Sequence, residues 1–238
     1  MDRIRRASFV TGILFLAADV AGVASVVALG TLLDGSDFLP GAVAGADRVA
    51  LAAVLEALMG LCCAGIAISM YPVLRRVDPG LAIGAVGMRA IEGTIFLLAA
   101  LCLVALAALG ADVTAGSIDA NAAGPSADLL RALHAQAGTI AALPFAVGAF
   151  LYYLAFYRGR LTPRWLSGWG LLAIAVYFAT AVWAMVGRTD FNDLSALLAP
   201  LALQEVVLAV WLIAKGWSDP AGAPSAAPSI PPAAPSLG

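Results

Sequence analysis

Little in this sequence is made for water. Only 12% of its 238 residues are charged, about half the usual share of a soluble domain, so the chain lacks the polar surface that a water-soluble fold of this length needs. Histidine occurs once, at His134, and the three cysteines, Cys62, Cys63 and Cys102, all lie inside apolar runs. A catalytic zinc commonly takes three protein ligands, often His-rich, which excludes the familiar zinc sites. The buried thiols read as small hydrophobes rather than disulfide partners. HExxH, GxSxG, GxGD, the P-loop and the glycine-rich dinucleotide fingerprint are all missing, and with them the enzyme classes they mark. No Lys/Arg-rich run or basic-aromatic patch accompanies the net charge of −2, so nucleic acid is not an expected partner. No catalytic residue, cofactor or metal site is assigned.

Apolar residues are what the chain has in plenty: 62% are hydrophobic and the mean hydropathy is +0.96. Crossing a hydrocarbon core of roughly 30 Å takes about 20 apolar residues of helix. Runs of that length fall at about 8–33, 48–74, 81–109, 129–157, 164–187 and 194–216. The prediction is an all-α polytopic membrane protein, a six-helix transmembrane bundle over residues 1–217 with its partner the lipid bilayer. The Pro/Ala/Ser-rich stretch 218–238 reads as a disordered tail. Asp34-Gly35 closes the first run, Asp78-Pro79-Gly80 turns the second into the third, and Thr162-Pro163 offers an N-cap and first-turn proline to the fifth. The connections 75–80 and 158–163 are short enough to force antiparallel neighbours, whereas 110–128 reads as a flexible polar loop.

Orientation follows from the basic residues, which are retained on the cytoplasmic side. Arg3, Arg5, Arg6, Arg75, Arg76, Arg158, Arg160, Arg164 and Lys215 lie on the side of the N-terminus, against Arg48, Arg131 and Arg188 opposite. Both termini are thus predicted to be cytoplasmic. The other side is acidic, with Asp34, Asp37, Asp47, Asp112, Asp119, Asp128, Asp190 and Asp193. The first run is too long for the core of a signal peptide and carries Asp19, so it is read as a span. The Ala/Gly-rich composition points to a high-GC bacterial source, and so to the bacterial inner membrane.

Asp19, Glu56, Arg89, Glu92 and Glu205 remain deep inside the runs. A charge at the centre of a lone helix costs about 2.5–3.5 kcal/mol, so such residues turn inward and find partners. With Gln204 they make a predicted polar midplane cluster. At 100° per residue Gly12 and Gly22 share the face of Asp19, Gly60 and Cys63 that of Glu56, and Gly93 and Phe96 that of Arg89 and Glu92; small residues there permit close packing. Arg89 and Glu92 are three apart and so are neighbours on one helix. Four carboxyls outnumber one guanidinium. Arg89 is expected to pair with Glu92 or an acid of another span, and an acid left without a cation tends to hold a proton. The plain alternative is a static polar network that fixes helix register.

His134 lies three residues after Arg131, near the outer end of the fourth span. Such a histidine is by default an interfacial hydrogen-bonder, but pairing with an acid makes it a pH-sensitive gate; Arg131 and His134 are the candidates for an outer gate. Pro144 frees the carbonyl of Ile140 and marks a site for a bend. Trp165, Trp169, Trp217, Tyr71 and Tyr157 are placed as an aromatic belt at the cytoplasmic boundary.

The strings VALAAVLEALM at 49–59, YPVLRR at 71–76, GMRAIEG at 87–93, RLTPRWLSGWGLL at 160–172 and LQEVVLAVWLIAKGW at 203–217 occur in an order that resembles the bacterial membrane proteins grouped as "domain of unknown function 4386". The resemblance leaves out the tail and most of 110–140. It implies that Glu56, Tyr71, Pro72, Arg89, Glu92, Trp165, Gln204 and Glu205 occupy the family's recurrent polar and aromatic positions, and it implies no role for them.

Two functions compete at this level. One is a small carrier or sensor whose midplane cluster binds a proton, ion or small molecule; splitting the spans three and three as an inverted repeat would match Glu92 with Glu205. The other is a structural or partner-binding membrane subunit. An enzyme acting on lipid has no motif behind it. The oligomeric state is open.

Overall fold

The computed structural model describes residues 3–35, 38–187 and 194–218. The tail from Asp219, and Asp37, Arg188, Asp190 and Asp193, lie outside the described residues. The chain is all-α: α1 (Arg3–Leu29), α2 (Leu39–Ala44), α3 (Ala46–Leu74), α4 (Pro79–Thr114), α5 (Ala120–Gly159), α6 (Arg164–Gly187) and α7 (Ser195–Ala214). Six of these, all but α2, are long and apolar enough to cross a membrane. They expose rows of aliphatic side chains, among them Val20, Val23, Val26 and Val27 of α1, as lipid-facing helices do. The chain is an integral, multi-pass membrane protein.

Packing follows chain order. α1 lies against α3, α3 against α4, α4 against α5, α5 against α6, α6 against α7, and α7 returns to α1. The six spanning helices therefore close into a ring. Both short connections form hairpins, as their lengths predict. Asp78 starts α4 by accepting from the backbone N–H groups of Gly80 (2.8 Å) and Leu81 (3.1 Å), with Pro79 in the first turn. Before α6, the Thr162 hydroxyl bonds that of Ser167 at 2.7 Å. The ends carrying Arg5, these two hairpins and Lys215 gather at one pole, the basic pole: Ser218 N–H donates to Leu161 O (2.9 Å), and Val77 packs on Gly159.

The 110–128 segment is not a flexible loop. α4 runs on to Thr114 and α5 begins at Ala120. Alanine-rich sequence sustains helix in water as well as in lipid, and Asp119 caps the new turn by accepting from Asn121 N–H (2.9 Å) and Ala122 N–H (3.2 Å). At 36 and 40 residues, α4 and α5 exceed what one bilayer crossing requires, and α2 packs against the α4 side of this extension. α5 remains helical through Pro144.

The basic half holds the aromatic core. Tyr152, Tyr153 and Phe156 of α5 are fully buried. Their rings meet at 4.5 Å (Tyr152–Tyr153) and 5.4 Å (Tyr152–Phe156), with Trp217 on Phe156 at 5.0 Å. Trp217 is thus a core residue, not a boundary anchor, because the chain after α7 folds back across the pole. Trp165 stays 58% exposed, as an anchor should be. Arg75 and Arg164 stack on Tyr71 and Tyr157.

Candidate functional site

The ion pair that spacing predicts on α4 is present. Arg89 Nη1 lies 2.8 Å from Glu92 Oε2, with both side chains almost fully enclosed. The pair is reached by a close helix crossing: a Cβ built on Gly60 of α3 would sit 2.7 Å from the carbonyl oxygen of Gly93 on α4. Only glycine permits that approach. One turn along the same seam, Arg89 Nε donates to the Cys63 carbonyl of α3 (3.4 Å), and the guanidinium covers the Phe145 ring of α5 at 4.9 Å. Arg89 is held on three sides.

Beside the pair the ring encloses a cavity of about 290 Å³ whose wall takes residues from all six spanning helices. Asp19 of α1 and Glu205 of α7 line it together with Arg89 and Glu92. Helix register explains the meeting. Arg5 donates to the carbonyls of Leu212, Ile213 and Ala214, Ser8 to that of Leu212, and Gly12 abuts Ala209 and Ile213. Continued antiparallel, this brings Asp19 level with the turn of α7 that ends in Glu205. Glu205 is nine residues from Ala214 and Arg89 ten from Pro79, so each sits about 14–15 Å of helix from the basic pole. Among the described residues, neither Asp19 nor Glu205 forms an ion pair, and Asp19 Oδ2 is buried without a hydrogen-bond partner.

Two expected members stand elsewhere. Gln204 faces away from the cavity: fully buried, it accepts from the Tyr153 hydroxyl and donates to Leu166 O (3.2 Å), bonding α7 to α5 and α6. Glu56 belongs to a second site. It is seven residues from Cys63, two turns along the same face, which carries it about 10 Å beyond the Arg89 contact. There its Oε1 meets His134 Nε2 of α5 at 2.9 Å. His134 therefore pairs with an acid. It lines a cleft of about 610 Å³ at the acidic pole, together with Asp34 and Arg131. Arg131 ties down that cleft's rim, donating to Leu33 O (3.3 Å) and Gly35 O (2.8 Å), stacking on Phe38 and lying 3.6 Å from Asp128.

Sequence reasoning missed the cavity's other walls. Phe15, Phe96, Phe145 and Tyr177 line it, and Cys63 contributes both its carbonyl and its side chain. The signal was weak but present: Cys63 shares the helical face of Gly60, and Phe96 that of Arg89 and Glu92.

No curated protein and no solved structure matches the chain. A family pattern does, over residues 10–216, described as "Domain of unknown function (DUF4386)". That match is continuous through α1, both acid sites and α7, and through the 110–140 region that the shared strings leave out. On this evidence the chain belongs to the family of domain of unknown function 4386.

Proposed function

We propose that this protein is a small carrier or sensor of the bacterial inner membrane, with both termini cytoplasmic, and that its central cavity binds and exchanges a proton together with a small ligand. The carrying observation is the cavity itself: a space at mid-depth, walled by every spanning helix, with one ion-paired guanidinium and three carboxyls. Packing alone gives no reason for two acids, Asp19 and Glu205, to face a void with no ion pair of their own. The orientation rests on the nine basic residues at one pole against three at the other.

The test is infrared difference titration of the protein in lipid, with Asp19→Asn and Glu205→Gln assigning the bands. A carboxyl that changes protonation across the physiological range, and disappears in one variant, is the expected result. If every carboxyl band stays fixed, the exchange reading fails. Reporter fusions at the C-terminus test orientation; an external C-terminus would reverse it.

One observation favours the static alternative: Arg89 is already engaged by Glu92, Cys63 O and Phe145. That explains the pair but not the empty space or the two acids beyond it.

A further inference from the structure

We propose that the central cavity receives a small amphiphilic organic cation, a protonated arylalkylamine in chemical type, and that this ligand reaches it from the membrane through the seam between α1 and α7. The proposal rests on the reading of the cavity as a ligand site, and adds the ligand's charge, shape and route.

Charge comes first. The groups facing the space are Asp19 from α1, the Cys63 thiol from α3, Arg89 and Glu92 from α4, Tyr177 from α6 and Glu205 from α7. From α5 the fully buried Tyr152 hydroxyl lies beside Glu205. Among the described wall residues the one cation, Arg89, is ion-paired with Glu92, so an anionic ligand would meet three carboxyls against a single guanidinium that is already paired. A cation would meet Asp19 and Glu205, which lie within electrostatic reach of each other and, among the described residues, form no ion pair. In a medium of low dielectric that difference is large. Two arrangements then ask for one ligand: two carboxyls outside any ion pair and a buried Asp19 oxygen without a donor.

Shape separates an organic cation from a metal ion. Among the described residues no three His, Cys, Asp or Glu side chains converge closely enough to hold a metal. Instead the wall offers aromatic and aliphatic surface from Phe15, Phe96, Tyr177, Met59 and Leu201. Ring faces attract ammonium groups and apolar walls accept a hydrocarbon body. A volume of about 290 Å³ is at the small end of ligand pockets, roughly 300–1,000 Å³, which suits one ring and a short arm.

The route follows from which wall residues are exposed. Those from α3, α4, α5 and α6 are buried or partly buried, whereas Val23 of α1 is 67% exposed and Ala202 of α7 is exposed. The cavity therefore reaches the perimeter between α1 and α7, on the side away from the basic pole. At the basic pole the same seam is shut by Arg5, Ser8 and Gly12 against the end of α7.

The experiment measures binding of labelled 2-phenylethylammonium to the full chain in lipid nanodiscs, against empty nanodiscs, with 2-phenylethanol and 3-phenylpropanoate as neutral and anionic counterparts. Saturable amine binding is expected, with both counterparts weaker by about tenfold or more. Asp19→Asn with Glu205→Gln should weaken amine binding by a similar factor, and Glu205→Gln alone serves if the pair of changes prevents folding. Glu56→Gln, at the separate cleft, should leave it unchanged. Val23→Trp and Ala202→Trp should slow association. Equal binding of the alcohol or the acid, or amine binding indifferent to Asp19 and Glu205, overturns the cationic ligand. Absent amine binding with carboxyls that still titrate in the infrared overturns it too and leaves the cavity reading standing; absent binding with silent carboxyls ends both. Association unaffected by either tryptophan overturns the route.

Discussion

The two halves of this bundle are built on opposite plans. At the basic pole the ring is filled: stacked aromatic rings of α5, the Gln204 bridge among α5, α6 and α7, and the carbonyls at the end of α7 taken up by Arg5 and Ser8. From mid-depth towards the acidic pole the core is aliphatic, with Val49, Leu103 and Leu106 fully buried, and it is interrupted by the central cavity and the His134 cleft, where titratable side chains collect. All three glutamates of the sequence stand at these openings: Glu92 and Glu205 line the cavity, and Glu56 meets His134 of the cleft. The contrast teaches that aromatic packing and titratable groups are kept apart: stacked rings fill one end, and the acids gather around the openings of the other.

Substitutions can break the contrast, and the largest effect is expected at its boundary. Arg89→Leu strands Glu92 in the bundle, and removing one partner of a buried pair costs about 3–5 kcal/mol. Thermal unfolding in detergent should show a deep loss that Arg89→Leu with Glu92→Leu largely restores; a double variant as unstable as the single one would mean that the charges are needed for structure. Next comes the filled half. Gln204→Leu leaves the Tyr153 hydroxyl and Leu166 carbonyl without their partner, a loss of about 1–3 kcal/mol, read from denaturant or thermal midpoints. Arg5→Ala removes three hydrogen bonds to the last turn of α7, and about 1–2 kcal/mol should go with them. The smallest effect belongs to the cavity wall: Leu198 of α7 lines the central cavity, so Leu198→Ala enlarges a space that already exists and its cost should stay below about 1 kcal/mol, against about 2–5 kcal/mol for a packed core. A large loss at Leu198 would show that the cavity wall is as tightly specified as the aromatic end.

The sequence foretold angles better than heights. Hydropathy located six spans, Asp78-Pro79 marked a helix start, and three-residue spacing paired Arg89 with Glu92. Helical period says which face a residue occupies, yet it does not say how far along that face a neighbouring helix will present a partner. Glu56 shows the difference: right face, two turns too far for Arg89, and within reach of His134 instead. The register that brings Asp19 to Glu205 depends on contacts near Arg5 and Gly12, which no local pattern announces. The helical 120–128 segment was hidden for a different reason. Its polar residues argue for a loop by composition, while a single capping aspartate, Asp119, is enough to start the helix.

The ring's closure by its first and last helices has a consequence for biogenesis. A chain emerging from the ribosome can pair α1 with α3 early, but Asp19 faces an open groove until α7 arrives, and the carbonyls that Arg5 binds are the last of the bundle to be made. Truncation before α7 should therefore leave a partner-seeking acid and an idle arginine in the bilayer, the kind of unfinished surface that membrane quality control recognises.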